Sequence, residues 1–150
     1  MKPVMQWLDD DAGRRALIAA HPESILVSPE LPLRANLSVL DNIAMIPEYR
    51  ENLAYDAAAD RAWALLGRVG QTDIAFRRDP DLNHEQRFVA KLLRALVANP
   101  PVILVDRPGM LLPDLHYPPY LENLLARLED LPNDCWILDY RWNAPLYPSR

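Results

Sequence analysis

The run HEQRFVAKLLRALVANPPVILVDRP, residues 84 to 108, constrains the fold more than any other part of the chain. Phe88, Val89, Leu92, Leu93, Leu96 and Val97 recur at helical spacing and form one apolar stripe. Asn99-Pro100-Pro101 ends that helix, because proline donates no N–H and pushes the residue before it out of the helical region. VILV follows with no polar alternation, the pattern of a strand buried on both faces, as in a parallel sheet. A helix that breaks directly into such a strand predicts an α/β fold.

The remaining segments extend this expectation. ESILVS and CWILD read as two further short strands, giving three parallel strands over about 24–28, 102–106 and 135–139. QWLDDDAGRRALIAA, residues 6 to 20, reads as a helix with an acidic first turn. Ser38, with Asp41 three residues on, opens a helix that Pro47 is expected to interrupt. DAAADRAWALLGRVG is a further helix closed by Gly70, Asn83 caps the helix that starts the central run, and YLENLLARLEDL is the last. One domain over 1–150 is expected, with a helical subdomain over about 36–98.

Composition excludes several function classes. A formal charge of −5 with dispersed arginines gives no basic face for nucleic acid. No apolar run reaches the roughly 18 residues of a membrane span, and the N-terminus turns acidic where a secretion signal would be apolar, so a cytoplasmic protein is expected. The single cysteine, Cys135, has apolar neighbours and reads as a buried thiol. The three histidines lack metal-binding spacing, so neither a metal nor another cofactor is expected. Glycine is scarce, and neither GxxxxGK[ST] nor GxGxxG occurs in the sequence.

From about residue 25 to 141 the order of segments resembles the ATP-binding subunit of an ABC transporter. ANLSVLDNIAM resembles the opening of that family's helical subdomain, and AWALLGRVGQTD the helix before its signature motif. The run from Leu82 to Pro108 resembles the signature, its helix and the Walker B strand in register. The resemblance implies a truncated P-loop NTPase-like unit that starts after the place of the phosphate loop. It also implies that the phosphate-loop strand, which would flank the CWILD strand, is missing, leaving an open edge there.

The departures fall on positions that the family uses for chemistry. Leu82-Asn83-His84-Glu85-Gln86 stands in place of LSGGQ, without the glycines that let a helix N-terminus approach phosphate. Asp106 matches the magnesium-holding Walker B aspartate, or is a polar residue ending a strand. Arg107 takes the place of the general-base glutamate; a guanidinium accepts no proton from water, so it reads as an ion-pair partner for Asp106 or Asp139, or as a phosphate clamp. Tyr140 stands where the switch histidine would be, or packs with Trp136 and Trp142. Asn83, His84, Glu85, Gln86, Asp106, Arg107 and Tyr140 are thus vestigial nucleotide-site candidates.

These readings imply a pseudo-ATPase serving as an interaction, regulatory or scaffold subunit, accessory to an ABC transporter and peripheral to the inner membrane through a partner. The alternative is a degenerate signature helix lent to an ATP site completed in trans. By the resemblance, a permease helix would meet Leu31, Leu33, Leu37 and Tyr49. The expected partners are an ABC ATPase, a permease or a second copy of the chain.

Overall fold

The computed structural model describes residues 1–148; the last two positions of the expected 1–150 domain and of its aromatic tail lie outside the described residues. The chain forms two compact units, one from Met1–Leu31 with the chain from Pro100 onward, the other Pro32–Asn99.

The first unit is built on a four-stranded, fully parallel sheet. Its strands are β1 (Pro3–Leu8), β2 (Ile25–Val27), β3 (Val102–Asp106) and β4 (Asp134–Tyr140), in the order β1-β4-β3-β2. Every residue of β3 is buried, as its unbroken apolar sequence requires. Leu8, Val102, Leu104 and Leu138 form a cluster with Leu17, Ile18, Leu26, Trp136 and Tyr140 packed against it. Leu17 and Ile18 come from helix α1 (Asp11–Ala19).

The N-terminal reading needs correction. A helix was expected over 6–20 and three strands in all; the chain instead forms β1, then α1, and the sheet has four strands. Asp10 marks the break: it is extended, and its side chain accepts from the Gly13 N–H at 2.7 Å as the helix N-cap. The open edge expected beside CWILD is filled, because β1 pairs with β4 from Pro3↔Cys135 to Leu8↔Tyr140.

The second unit holds α2 (Val39–Glu51), α3 (Tyr55–Arg68) and α4 (His84–Leu96), which contact one another. Pro47 does not interrupt α2; it removes only one N–H, and it sits buried with Ile43 and Ala44 while the helix runs on to Asn52, whose left-handed backbone ends it. Past α3, Gly70 has φ 67° and forms a Schellman stop, with Gln71 N–H on the Leu66 carbonyl at 2.9 Å and Gly70 N–H on that of Gly67 at 3.1 Å.

Back in the first unit, α5 (Pro108–Leu111) and α6 (Tyr117–Ala126) connect β3 to β4. The tail after β4 makes a 3-10 turn over Arg141–Leu146.

Candidate functional site

β2 and β3 end side by side, and α1 is joined to β1 by Asp9 and Asp10 alone, so Ser28, Asp106 and Arg14 converge at that end of the first unit. Asp106 is fully buried, and four polar atoms reach its carboxylate. Oδ2 accepts from Ser28 Oγ at 2.8 Å, Arg14 Nη1 at 3.0 Å and Arg107 Nη2 at 3.2 Å, while Oδ1 accepts from Arg107 Nε at 3.2 Å. Glu30 accepts from Arg107 at 2.9 Å and from Arg14 at 3.5 Å, and Asp11 holds Arg14 Nε at 3.0 Å. Two guanidiniums thus lie among three carboxylates.

This electrostatic balance decides what the site can hold. Burial alone lowers the pKa of Arg14, but the bond to Asp11 and the field of Asp106 more than reverse it, so the guanidinium is held more firmly charged than usual. Arg107 behaves likewise through Asp106 and Glu30. The Arg14 bond in turn keeps Asp11 below the ordinary carboxylate value. Magnesium, which the resemblance implies at Asp106, does not fit this arrangement: a hard cation needs oxygen ligands, and Asp106 faces two organic cations and a hydroxyl donor. Among the described residues no group of three or more His, Cys, Asp or Glu could hold a metal ion.

Arg107 reaches Asp106 from the adjacent position by taking a left-handed backbone, φ 50° and ψ 67°, which costs a non-glycine residue about 1–2 kcal/mol. Its N–H donates to the Leu138 carbonyl at 2.9 Å, which holds that turn on β4. Of the two ion-pair partners anticipated for it, Asp106 is the one it meets, and Glu30 joins it.

Asp139 is committed elsewhere. Its Oδ2 accepts from the Tyr117 hydroxyl at 2.6 Å and the Tyr147 hydroxyl at 2.7 Å, and its Oδ1 from the Tyr140 N–H at 2.8 Å and Asn143 Nδ2 at 2.9 Å. Burial, then these bonds, push both phenols well above their ordinary value. Tyr140 is half-buried and stacks on Trp142, centroids 4.2 Å apart and planes 8° from parallel, whereas Trp136 meets His21 edge-on.

In the second unit, Asn83 and Gln86 close a capping box at the start of α4. Gln86 N–H donates to Asn83 Oδ1 at 2.8 Å and Asn83 N–H to Gln86 Oε1 at 3.0 Å, so both side chains are spent on their own helix. His84 and Glu85 are exposed beside them. Tyr49 is 92% exposed and lies on a groove of about 620 Å³ with Arg34, Met45, Ile46, Glu48 and Arg50. Leu33, expected at a partner surface, is instead buried, because the Asn42 amide ties the loop down by accepting from the Arg34 N–H at 2.9 Å and donating to the Arg34 carbonyl at 3.1 Å. Leu37 is half-buried, and Leu31, in the first unit, is exposed.

Arg14 and Glu30 escaped the sequence reading. Their signal was indirect: a carboxylate ending an all-apolar buried strand requires a counter-charge, and Arg14 comes from 92 residues away.

An α/β unit with this sheet order and an aspartate ending its central strand is that of the P-loop NTPases, and the chain is a relative of ABC transporter ATP-binding subunits. It is 32% identical over 98 residues to the lipoprotein-releasing system ATP-binding protein LolD of Bacteroides thetaiotaomicron, covering 65% of this chain and 44% of that one. It is 31% identical over 101 residues to the lipopolysaccharide export system ATP-binding protein LptB of Escherichia coli, covering 67% and 42%. The chain therefore spans less than half the length of these relatives. The post-hydrolysis dimer of the ATP-binding cassette MJ0796, bound to ADP and Pi, superposes with a TM-score of 0.62 at 25% identity over 91% of this chain and 59% of that one. CbiO1 of Clostridium perfringens, at 19% identity, TM-score 0.66 and coverage of 91% and 55%, shares the fold. No protein-family model matches the sequence.

Proposed function

We propose that this protein is a non-catalytic ABC ATPase-like subunit, a pseudo-ATPase that acts through protein contacts as an accessory of an ABC transporter. The observation that carries this reading is the closed Asp106 site, in which Arg14 and Arg107 supply the positive charge that a bound magnesium ion would bring. The entry to α1 supports it. β1 flanks β4, where the resemblance puts the phosphate-loop strand, yet the connection onward is Asp9-Asp10, and the Asp10 carboxylate takes the Gly13 N–H. A helix N-terminus binds anions through free N–H groups, and a carboxylate seated there repels them. Arg107 at the general-base position cannot accept a proton from water.

The partner surface in this reading is the Tyr49 groove of the helical unit, where an apolar segment of a permease docks and holds the protein at the cytoplasmic side of the membrane. Among the described residues no helix is long and apolar enough to cross a membrane.

Titration of magnesium-ATP against the full chain, followed by thermal melting, tests the proposal. No stabilisation is expected; a rise of several degrees, or measurable phosphate release, overturns it.

A further inference from the structure

We propose that Glu30 is the tethered occupant of an oxyanion site, built from N–H groups of Arg14 and Arg107, which a phosphate or carboxylate group takes when Glu30 is displaced. This rests on the reading of the Asp106 site as closed, and it assigns the outer closure to one side chain. Asp106 and Asp11 by themselves balance the two guanidiniums, carboxylate for cation. Glu30 is a third acid that this balance does not need. Its side chain is 64% exposed, whereas those of Arg14 and Arg107 are 6% and 12% exposed.

The donors have the arrangement that recognises an oxyanion. Arg107 commits one edge of its fork to Asp106, through Nε and Nη2, both at 3.2 Å. Of the end formed by Nη1 and Nη2, Glu30 takes Nη2 alone, at 2.9 Å, and Nη1 meets no protein acceptor among the described residues. A guanidinium end binds a carboxylate or phosphate through two parallel N–H bonds, so an incoming group can make the bond that Glu30 leaves unmade. Arg14 Nη2 adds a further donor, which reaches Glu30 only at 3.5 Å. Both guanidiniums are already fixed by Asp106, so little ordering accompanies binding.

Glu30 holds the site because its backbone is tied beside it. Ser28 Oγ accepts from the Glu30 N–H at 3.2 Å and donates to Asp106 at 2.8 Å, and the Leu31 N–H closes the turn on the Ser28 carbonyl at 3.2 Å. Tethering gives the Glu30 carboxylate a high effective concentration, which keeps free anions out of the intact protein. Displacing it leaves the cluster neutral rather than positive, because Asp11 stays on Arg14 Nε. Affinity for a free anion is therefore expected at about millimolar, carried by hydrogen-bond geometry more than by net charge.

Thermal melting of the full chain in inorganic phosphate, against sodium chloride of equal ionic strength, tests this. The parent protein should not respond at about 10 mM phosphate, while Glu30→Ala should rise by a few degrees. Glu30→Gln, which keeps the side-chain length without the charge, should respond in the same direction. Adding Arg107→Lys to Glu30→Ala retains the charge, removes the fork and should abolish the rise. Glutarate in place of phosphate separates the two sources: the anion that gives the larger rise is the class the site takes. No rise in either Glu30 variant with either anion overturns the proposal. So does a rise that Arg107→Lys leaves intact, or a parent protein that responds as strongly as Glu30→Ala. Neither magnesium nor nucleotide is present, so this result and the magnesium-ATP titration can fail independently.

Discussion

Tyr147 donates its hydroxyl to Asp139 at 2.7 Å, and that bond ties the end of the tail to strand β4. The same ring meets Trp7 of β1 edge-on at 5.2 Å, so the tail is joined to two neighbouring strands. Removing the hydroxyl by Tyr147→Phe deletes a bond to a charged acceptor and is expected to cost about 2 kcal/mol. Urea unfolding checks it: the midpoint should fall while the slope stays unchanged.

Arg14→Ala removes one of the two cations that face a fully buried carboxylate, and a loss of about 3 kcal/mol is expected. The informative readout is magnesium. The ion should raise the melting temperature of the variant, whose Asp106 and Glu30 are left under-neutralised, and leave the parent protein unmoved. Equal responses in the two would mean that Arg14 does not stand in for a metal.

Alkaline pH should destabilise the fold, with a defined sign. The Cys135 thiol is raised by burial from 9.0 to about 12, and the Tyr117 and Tyr147 phenols are raised above 10.0 by burial and by Asp139. A group whose folded pKa is raised contributes stability that is complete below its unfolded pKa and is lost as pH climbs toward the folded one. Stability should therefore hold up to about pH 9 and decline from there to about 12. Cys135→Ala should flatten the first part of that decline in melting curves taken across the range.

Asn83→Ala should destabilise the protein by about 1 kcal/mol through loss of the α4 cap, measured by thermal melting. If α4 is lent to an ATP site in trans, the same variant will also change the turnover of a cognate ATPase mixed with it. The non-catalytic reading expects no such change.

The elements whose logic is local were legible from sequence. The α4 stripe, its Asn83 cap, the proline stop and the VILV strand are each fixed by neighbours a few residues away. β1 was not legible, because PVMQWL has no strict alternation and the acidic residues after it resemble the first turn of a helix. Only its pairing with β4, more than a hundred residues later, makes it a strand. The candidate site split along the same line. Asp106 and Arg107 stand next to each other in sequence and at the site, whereas Arg14 and Glu30 join them through the tertiary fold alone.

The mutual satisfaction of Asp106, Arg14 and Arg107 has an evolutionary consequence. Placing a glutamate at position 107 by itself would set a second acid beside a buried one, and removing Arg14 by itself would leave that acid with one of its two counter-ions. Each single change is disfavoured on stability alone. A lineage that carries this arrangement would behave as if latched there, free to drift elsewhere but slow to exchange any one of the three residues alone.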